Sequence, residues 1–573
     1  MYLPLAEPRS SVFYQYRIHP YRRAPEMDGG RSNAPVVIAG AGPIGMATAI
    51  DLARFGVPTI VLEQELQVSH GSRATALTRR SVEILQQIGV AERFIAKGLP
   101  WQLGRSYFRG QEVYQMVLPH DENDRFLPCL NLEQQYMEEY LVEACEANPL
   151  IDLRWGQKVI GASQDNAGVT LRLDTPDGEY DLIVDWVVAA DGGRSVLRKI
   201  FDLQMEGRSY AGSFVIADIK ANIDLPTERL CFFEPDWNPG SNVLIHRQPD
   251  GIWRVDFRLP DNETVAQALE PQQLAPRINA VLEMLHQKTE WQLDWTAVYS
   301  ASTLTLPNYV HGRVLFTGDA AHLLPIFGVR GANTGLQDAN NLAWKLAFVV
   351  QGWSDRALLE SYSDERVEAA REICAEGGRS TRFMTPPSKG FRLMRDAALS
   401  FALSEDFLKD LLHWRTSRPH NYLTSHLNSF PEADRAFSGG IACGGPVRNV
   451  KLGEGDFLLD RVDAGVGFHL IAFAGDRRAD EDLVRILDQA GRMEFPVVRV
   501  VVGAQATEIA ADHAELAITD SWERVAAIYD AAPGTIYLLR PDLHVCARWR
   551  ATNADEVTQA LRNAAMTQQR LQP

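Results

Sequence analysis

The order of apolar and polar positions predicts alternating strands and helices in the first third of the chain. Residues 36–39 form a short apolar run typical of a buried strand, and residues 59–63 form a second run that ends in an acid. Residues 43–54 lie between them and have the pattern of a helix. The alternation continues over residues 35–205, which predicts an α/β domain built on a parallel sheet.

The pattern changes over residues 206–299, where apolar runs become short and closely spaced. Four runs are typical of strands, and the turn Gln-Pro-Asp-Gly at 248–251 joins the last two as a hairpin. These runs are residues 213–217, 230–233, 243–247 and 252–257. They predict a separate sheet that roofs a ligand cavity.

The rest of the chain divides into a helical part, a linker and a compact end. We predict five parts: an N-terminal, loosely packed extension (1–34), a discontinuous α/β domain with a helical segment (35–205 and 300–430), an interleaved α+β sheet domain (206–299), a glycine- and proline-rich linker (430–446) and a C-terminal domain (447–573).

Composition narrows the class of protein. The 573 residues are 46% hydrophobic and 23% charged with a net charge of −17, which argues against nucleic acid and anionic membranes as partners. We expect no integral membrane segment, since no apolar run reaches spanning length. Six scattered cysteines without C-x-x-C, and histidines without ligand spacing, favour a cytoplasmic protein with reduced thiols and no metal site.

A glycine motif predicts dinucleotide binding near the start of the chain. Gly40, Gly42 and Gly45 form G-x-G-x-x-G between the first strand and helix, and Glu63 ends the second strand. Glycines at these positions allow a tight turn, close approach of a pyrophosphate and close packing of helix on strand. A terminal carboxylate can accept a ribose hydroxyl. An incidental glycine turn is the alternative.

Two later strands also end in an aspartate followed or preceded by glycine. Asp191-Gly192 opens a helix with Arg and Ser, which suits a phosphate-bearing cofactor, although an ordinary turn with a helix cap has the same pattern. Gly318-Asp319 suits a ligand rich in hydroxyls. The glycine-rich turn 328–333 then precedes an amphipathic helix, and Arg330 is either a cation facing the ligand or a surface residue.

These three motifs, in this order and spacing, resemble those of the class A FAD-dependent aromatic hydroxylases, the p-hydroxybenzoate and phenol hydroxylase superfamily. The likeness covers most of 35–415. Residues 447–573 look like the thioredoxin-like tail of the phenol hydroxylase and 3-(3-hydroxyphenyl)propionate hydroxylase branch, on the evidence of residues 536–542 and 548–550. Since the tail has no C-x-x-C, we expect no redox chemistry there.

The resemblance implies a Rossmann-like FAD-binding domain of the p-hydroxybenzoate hydroxylase type. The residues that it implies for FAD are Gly40, Gly42, Pro43, Ile44, Gly45, Glu63, Gln64, Arg73, Gln134, Asp191, Gly318, Asp319, Pro325, Gly328, Gly331, Ala332 and Asn333.

The resemblance also implies an activity. NADH or NADPH would reduce FAD, and a C4a-hydroperoxyflavin formed with O2 would hydroxylate a small phenolic substrate in aromatic catabolism. An antibiotic- or polyketide-tailoring hydroxylase and, more remotely, a non-catalytic flavin-binding protein are alternatives. A flavin halogenase would carry W-x-W-x-I-P, which this chain lacks. The choice between NADH and NADPH, and a homodimer, stay open.

Substrate contacts are predicted on the interleaved sheet and on the late glycine turn. His246 is a candidate base and Arg247 a candidate carboxylate ligand, but neighbours on a strand face opposite sides, so both should not reach the cavity. A surface or structural role is the alternative for each. The other candidates for the pocket are Phe233, Trp253, Phe257, Phe327 and Arg330.

Overall fold

A computed structural model describes residues 1–30, 33–260, 263–325, 327–411, 418–462, 465–475, 477–519 and 522–567. Within the described residues, no helix combines the length and the apolar character that crossing a membrane requires.

The first part of the chain alternates strands and helices, as its apolar pattern predicts. Its elements are β1 (Val36–Ala39), α1 (Pro43–Arg54), β2 (Thr59–Glu63), β3 (Ala76–Thr78), α2 (Arg79–Gln87), α3 (Ala91–Lys97), β4 (Leu99–Trp101), β5 (Leu103–Phe108), β6 (Gln111–Val117), β7 (Cys129–Asn131), α4 (Gln134–Ala147), β8 (Ile151–Trp155), β9 (Lys158–Gln164), β10 (Val169–Thr175), β11 (Gly178–Val184), β12 (Trp186–Ala189) and α5 (Val196–Ile200).

The middle of the chain is rich in strands and is followed by long helices. Its elements are β13 (Glu206–Ala221), β14 (Arg229–Phe233), β15 (Asn242–Arg247), β16 (Ile252–Arg258), α6 (Val265–Leu269), α7 (Pro271–Met284), β17 (Trp291–Thr305), β18 (Val310–His311), β19 (Val314–Phe316), β20 (His322–Leu323), α8 (Gly331–Val350), α9 (Leu358–Met384), α10 (Lys389–Ala402), α11 (Phe407–Leu411) and α12 (Pro431–Asp434).

The end of the chain returns to alternating strands and helices. Its elements are β21 (Lys451–Gly453), β22 (Asp456–Phe457), α13 (Leu458–Val462), β23 (Phe468–Phe473), α14 (Arg477–Ala490), β24 (Val497–Val502), α15 (Ala506–His513), β25 (Leu516–Ile518), α16 (Trp522–Ile528), β26 (Ile536–Leu539), β27 (Val545–Trp549) and α17 (Ala554–Ala565).

A six-stranded sheet in the order β18-β19-β12-β1-β2-β8 forms the centre of the N-terminal half. Its strands are parallel except for β18, which is antiparallel to β19. Every residue of β1 and β12 is buried, as expected for central strands of a sheet covered on both faces. The carboxyl ends of β1, β12 and β19 therefore meet at one edge, where three of the glycine motifs begin.

An eight-stranded sheet in the order β20-β17-β13-β16-β15-β14-β5-β6 stands beside the first sheet. Apart from the parallel pair β14–β5, its strands are antiparallel. Strands β5, β6 and β20 come from outside 206–299, so this sheet also draws on chain that precedes and follows that range. One face packs on α6 and α7 through an apolar core that includes Val255, Ile278 and Val281.

A five-stranded sheet in the order β25-β24-β23-β26-β27 forms the C-terminal part. Strands β23, β24 and β25 are parallel, and β26 and β27 run antiparallel as a hairpin. A β-α-β unit followed by a hairpin and a final helix is the thioredoxin-like arrangement that the sequence predicts. The domain boundaries themselves stay predictions.

The N-terminal segment is packed more closely than the prediction of a loose extension allows. Tyr14 and Tyr16 are buried and meet edge to face at 4.7 Å, and His19 stacks on Trp155 at 4.1 Å. Because these rings offer large apolar surfaces, they hold the extended segment against the first domain. The expectation of loose packing was wrong.

Candidate functional site

Three motifs that are far apart in sequence meet at the carboxyl edge of the parallel sheet. A Cβ added at Gly40 would lie 2.4 Å from the carbonyl oxygen of Ala190, the residue before Asp191. A Cβ added at Gly318 would lie 3.2 Å from Cγ1 of Ile44. The glycines are required here because the chain segments approach so closely.

The amino end of α1 is open toward this edge. Gly42 is its N-cap and Pro43 its first residue, and a Cβ added at Gly42 would meet no atom within 4 Å. In contrast, a Cβ added at Gly45 would lie 2.1 Å from the Gly40 carbonyl oxygen. Free space before a helix amino end, on a closely packed strand–helix turn, fits a pyrophosphate.

Glu63 orders the same turn from the end of β2. Its carboxylate accepts hydrogen bonds from the backbone N–H groups of Ala41 and Glu65, both at 3.0 Å. Burial raises the pKa of Glu63 to about 7. A carboxylate offers about four acceptor positions, so this side chain can still accept a ribose hydroxyl, and Gln64 is exposed beside it.

Arg73 lies on the loop between β2 and β3, and Gln134 is the first residue of α4. Gln134 accepts from the Ala74 N–H at 3.2 Å and donates to Glu138 at 2.7 Å. Arg73 has a left-handed backbone (φ 35°), its side chain is exposed, and its carbonyl accepts from Arg254 at 2.6 Å. The amide of Gln134 thus positions the loop that presents the Arg73 guanidinium.

Asp191 binds the amino end of α5 beside Ser195, the N-cap residue of that helix. Its Oδ2 atom accepts from the N–H groups of Val196 at 2.7 Å and Leu197 at 3.1 Å. Burial raises its pKa, and Oδ1 has no hydrogen-bond partner among the described residues. The helix-cap alternative therefore accounts for Oδ2, whereas Oδ1 remains available to a ligand.

Asp319 lies on the short turn that follows β19, and its side chain is exposed. Enclosure by the surrounding protein raises its pKa, while the charges of His322, Arg73 and Arg198 oppose that rise. Arg198 donates to the carbonyl groups of Gly193 at 2.6 Å and Ala320 at 3.0 Å. This arginine, which the sequence reasoning did not single out, joins the Asp191 and Asp319 turns.

A buried ionic network beneath Asp319 was also missed. Asp338 on α8 accepts from Arg366 Nε at 2.6 Å and from the Gly318 N–H at 3.1 Å, and contacts His322 Nε2 at 2.6 Å. Although burial opposes ionisation, His322 and Arg366 hold the pKa of Asp338 below its ordinary value. The network fixes the Gly318 turn from below, and sequence offers only His322, four residues past Gly318, as a signal.

The late glycine turn reaches the amino end of α8, where Pro325, Gly328, Gly331 and Ala332 lie. Val329 has a left-handed backbone (φ 58°). The Asn333 side-chain oxygen Oδ1 accepts from the Thr78 N–H at 2.7 Å, and its side-chain nitrogen Nδ2 donates to the Val329 carbonyl at 2.9 Å. The Asn333 side chain therefore holds the shape of the turn.

Arg330 is not a surface residue, contrary to the alternative interpretation. Only 2% of it is exposed, and it donates to the Phe327 carbonyl at 3.2 Å and to Glu376 at 3.4 Å. Burial lowers its pKa. The guanidinium is held by protein groups behind the turn.

His246 and Arg247 face opposite sides of β15, as strand geometry predicts. In the strand register His246 lies opposite Arg229 on β14 and Arg254 on β16, on the face turned to the first domain. Arg247 donates to the Leu225 carbonyl at 2.8 Å and covers the Trp253 ring on the other face. Arg247 therefore does not face the cavity, which corrects the prediction that it holds a carboxylate there.

The aromatic residues predicted to line the pocket also lie on two opposite faces of the sheet. Trp253 and Phe257 are buried in the core against α7, so their assignment to the pocket was wrong. Phe233 and Phe327 belong to the apolar cluster on the opposite face. The sequence shows that alternate residues of a strand face opposite sides of the sheet. It does not show which of the two sides faces the cavity.

A cavity separates this face of the sheet from the late glycine turn. The empty space between its walls, counted out through the mouth that is open to solvent, is about 460 Å³. Its lining is mostly apolar, with arginines at the sheet side: Gly104, Arg105, Ser106, Tyr114, Met116, Arg229, Cys231, Phe327, Gly328, Ser380 and Met384. Phe327 and Gly328 lie at the turn that the motifs predict for FAD, so the cavity reaches the predicted cofactor site.

A second polar cluster lies on the same face of the sheet, and the sequence reasoning missed it. Arg254 Nε pairs with Asp256 at 2.8 Å, and Arg254 also reaches the Arg73 carbonyl. Burial raises the pKa of Asp218 to about 7. The sequence pattern of one strand does not indicate that these charged side chains are buried, because buried positions of a strand are usually apolar.

The comparisons with known proteins agree with this geometry. The model of the FAD binding domain family matches residues 33–376. The 3-(3-hydroxy-phenyl)propionate/3-hydroxycinnamic acid hydroxylase 2 of Burkholderia vietnamiensis is 30% identical over 94% of this chain and 98% of its own. A related hydroxylase of Burkholderia cenocepacia is 28% identical over the same shares.

Solved structures share the fold. The flavin-dependent monooxygenase PieE, in complex with FAD and substrate, matches with a TM-score of 0.73 at 22% identity, covering 93% of this chain and 99% of its own. Aklavinone-11 hydroxylase, in complex with FAD and aklavinone, matches with a TM-score of 0.70 at 23% identity, covering 94% and 99%. The chain therefore belongs to the FAD binding domain family and is one of its FAD-dependent aromatic monooxygenases.

Proposed function

We propose that this enzyme hydroxylates a single-ring phenol that carries a short carboxylate side chain, of the 3-(3-hydroxyphenyl)propionate type. The observation that carries the proposal is the continuity of the cavity with the turn Phe327–Gly328. The names of the relatives in both Burkholderia species support this substrate class.

The residues of the first domain fit FAD. The open amino end of α1 suits its pyrophosphate, and Glu63 and Asp319 can accept its hydroxyl groups. When bound and reduced by NADH or NADPH, FAD supplies the chemistry that transfers one oxygen atom from O2 to the ring. The protein then has to hold the ring near Gly328, exclude water and remove the phenol proton.

His246 is the proposed hydrogen-bond acceptor for the phenol hydroxyl. Burial, together with the charges of Arg229 and Arg254, lowers its pKa well below the ordinary value of 6.5. The imidazole is therefore neutral at pH 7 and can accept a hydrogen bond from the phenol hydroxyl, while the same effects make it a weaker base than an ordinary histidine. Removing the phenol proton would enrich the ring in electrons and favour electrophilic hydroxylation.

The test is an NAD(P)H-consumption screen of the FAD-loaded enzyme over phenolic acids. We expect 3-(3-hydroxyphenyl)propionate to accelerate NADH or NADPH oxidation and to yield a product with one added oxygen atom. The matched control is 3-phenylpropionate, which lacks the hydroxyl group and should give no hydroxylated product. Absence of a hydroxylated product across the phenols would contradict the proposal.

The same screen decides the remaining alternatives. Hydroxylation confined to polycyclic phenols would favour an antibiotic-tailoring enzyme. The support for that alternative is the fold shared with such enzymes. Consumption of O2 in step with the product would support it as co-substrate. A homodimer and a cytoplasmic location stay predictions.

A further inference from the structure

Arg229 begins β14 on the face of the sheet that turns toward the cavity. It pairs with His246 in the strand register, and both Arg229 and Cys231 line the cavity. The alternate residues Leu230 and Phe232 lie in the core on the opposite face. The position of Arg229 in the cavity thus follows from the strand itself.

Within the described part of the chain, the guanidinium of Arg229 differs from the neighbouring cations in having no hydrogen-bond or ion-pair partner. Arg105, also in the cavity lining, is held by Glu228 at 2.6 Å and Glu112 at 3.0 Å. Arg254 is held by Asp256 at 2.8 Å. Among the residues that the structure describes, none forms a hydrogen bond or ion pair with the Arg229 side chain, although protein encloses it enough to lower its pKa.

The groups whose charges act on Arg229 are Cys231, Cys129 and Asp256. Asp256 is the carboxylate among them, and it is already paired with Arg254 at 2.8 Å. Burial raises the pKa of the Cys129 and Cys231 thiols to about 12, so both are uncharged at neutral pH. An enclosed cation without a counter-ion is costly, and the site is therefore suited to an anion that arrives with the ligand.

We propose that Arg229 is the residue that binds the carboxylate of the substrate and so determines the preference for phenolic acids over neutral phenols. The inference rests on the proposed function and assigns the substrate-orienting cation, which the sequence had placed at Arg247. A guanidinium can hold a carboxylate by two parallel hydrogen bonds. With the carboxylate at Arg229, the ring lies among Met116, Phe327 and Met384, toward the FAD turn.

The experiment compares an acid with its neutral analogue in wild type and Arg229→Met. The probes are 3-(3-hydroxyphenyl)propionate and 3-(3-hydroxyphenyl)propan-1-ol, with Kd read from the change in FAD absorbance on binding and KM from product formation. We expect Arg229→Met to raise Kd and KM for the acid about 10- to 100-fold, since charged hydrogen bonds are lost, and to change those for the alcohol less than about threefold. Arg229→Lys should recover part of the binding of the acid.

The control variant is Arg208→Met, which removes an exposed arginine from β13 of the same sheet. It should leave the values for both compounds as in wild type, and bound FAD should be equal in all variants. Unchanged acid binding in Arg229→Met, or a wild type that binds the alcohol as tightly as the acid, would overturn the assignment to Arg229. Failure of the wild type to hydroxylate any phenol would overturn the proposed function instead, since the binding readout does not require turnover.

Discussion

Carboxylates at the ends of neighbouring strands have different surroundings in this protein. One carboxylate oxygen of Asp191 accepts hydrogen bonds from the backbone of α5. The side chain of Asp319 is instead exposed and is influenced by the charges of His322, Arg73 and Arg198. The sequence treats the two as similar Asp-Gly or Gly-Asp strand ends. Only Asp319 presents a carboxylate without a capping role, so the stronger effect on cofactor binding is expected there.

Replacing Asp319 by Ala should weaken FAD binding about tenfold or more, because a charge-assisted hydrogen bond to a hydroxyl group is lost. The measurement is titration of the FAD-free protein with FAD, followed by flavin fluorescence. Asp181→Ala, an exposed carboxylate on β11, is the control and should bind as wild type does. An unchanged FAD affinity in Asp319→Ala would contradict the assignment.

At the scale of elements, the turn between β1 and α1 combines two kinds of glycine. Gly45 is needed for packing, since its Cβ would lie 2.1 Å from the Gly40 carbonyl, whereas the space beside Gly42 is open in the protein. The first requirement belongs to the fold and the second to the ligand. A single motif therefore contains residues whose substitution should have separable effects.

Gly42→Ala should fold with wild-type stability but bind FAD at least about tenfold more weakly, because a methyl group would occupy the space predicted for the pyrophosphate. Gly45→Ala should instead lower thermal stability, because backbone must move to admit the methyl group. Thermal unfolding of the FAD-free proteins and FAD titration separate the two effects. Equal FAD affinity in wild type and Gly42→Ala would show that the pyrophosphate lies elsewhere.

At the scale of the whole molecule, a buried ionic network ties the thioredoxin-like part to the FAD-binding part. Arg540, between β26 and β27, donates to both oxygens of Glu365 at 2.6 and 3.0 Å and also pairs with Asp542. Lys345 on α8 reaches Glu365 at 2.7 Å. Because α8 begins at the turn predicted for FAD, the C-terminal part supports the helix next to the predicted site.

Arg540→Met should destabilise the protein by about 3–5 kcal/mol, since it leaves the buried Glu365 and Asp542 with fewer counter-charges. The check is thermal unfolding together with limited proteolysis of the C-terminal part. Arg550→Met breaks the partly exposed Arg550–Asp530 pair within that part and should cost less than about 1 kcal/mol. Equal unfolding temperatures for the two variants would argue against a bracing role.

Local patterns were sufficient for much of the fold because their causes lie within a few residues. The strand–helix–strand unit around Gly40, the opposite facing of His246 and Arg247, and the α-β alternation of the C-terminal part all follow from side-chain period and glycine sterics. Those expectations needed no knowledge of partners.

The tertiary structure decided which of those residues meet. It turned Arg229 rather than Arg247 to the cavity, placed Trp253 and Phe257 behind the sheet, and joined His322, Asp338 and Arg366 under the Gly318 turn. It also brought Arg540 to Glu365 across 175 positions of the chain. A strand pattern fixes two faces but not which one a distant domain will cover, and charge pairs between distant segments leave no periodic mark in sequence.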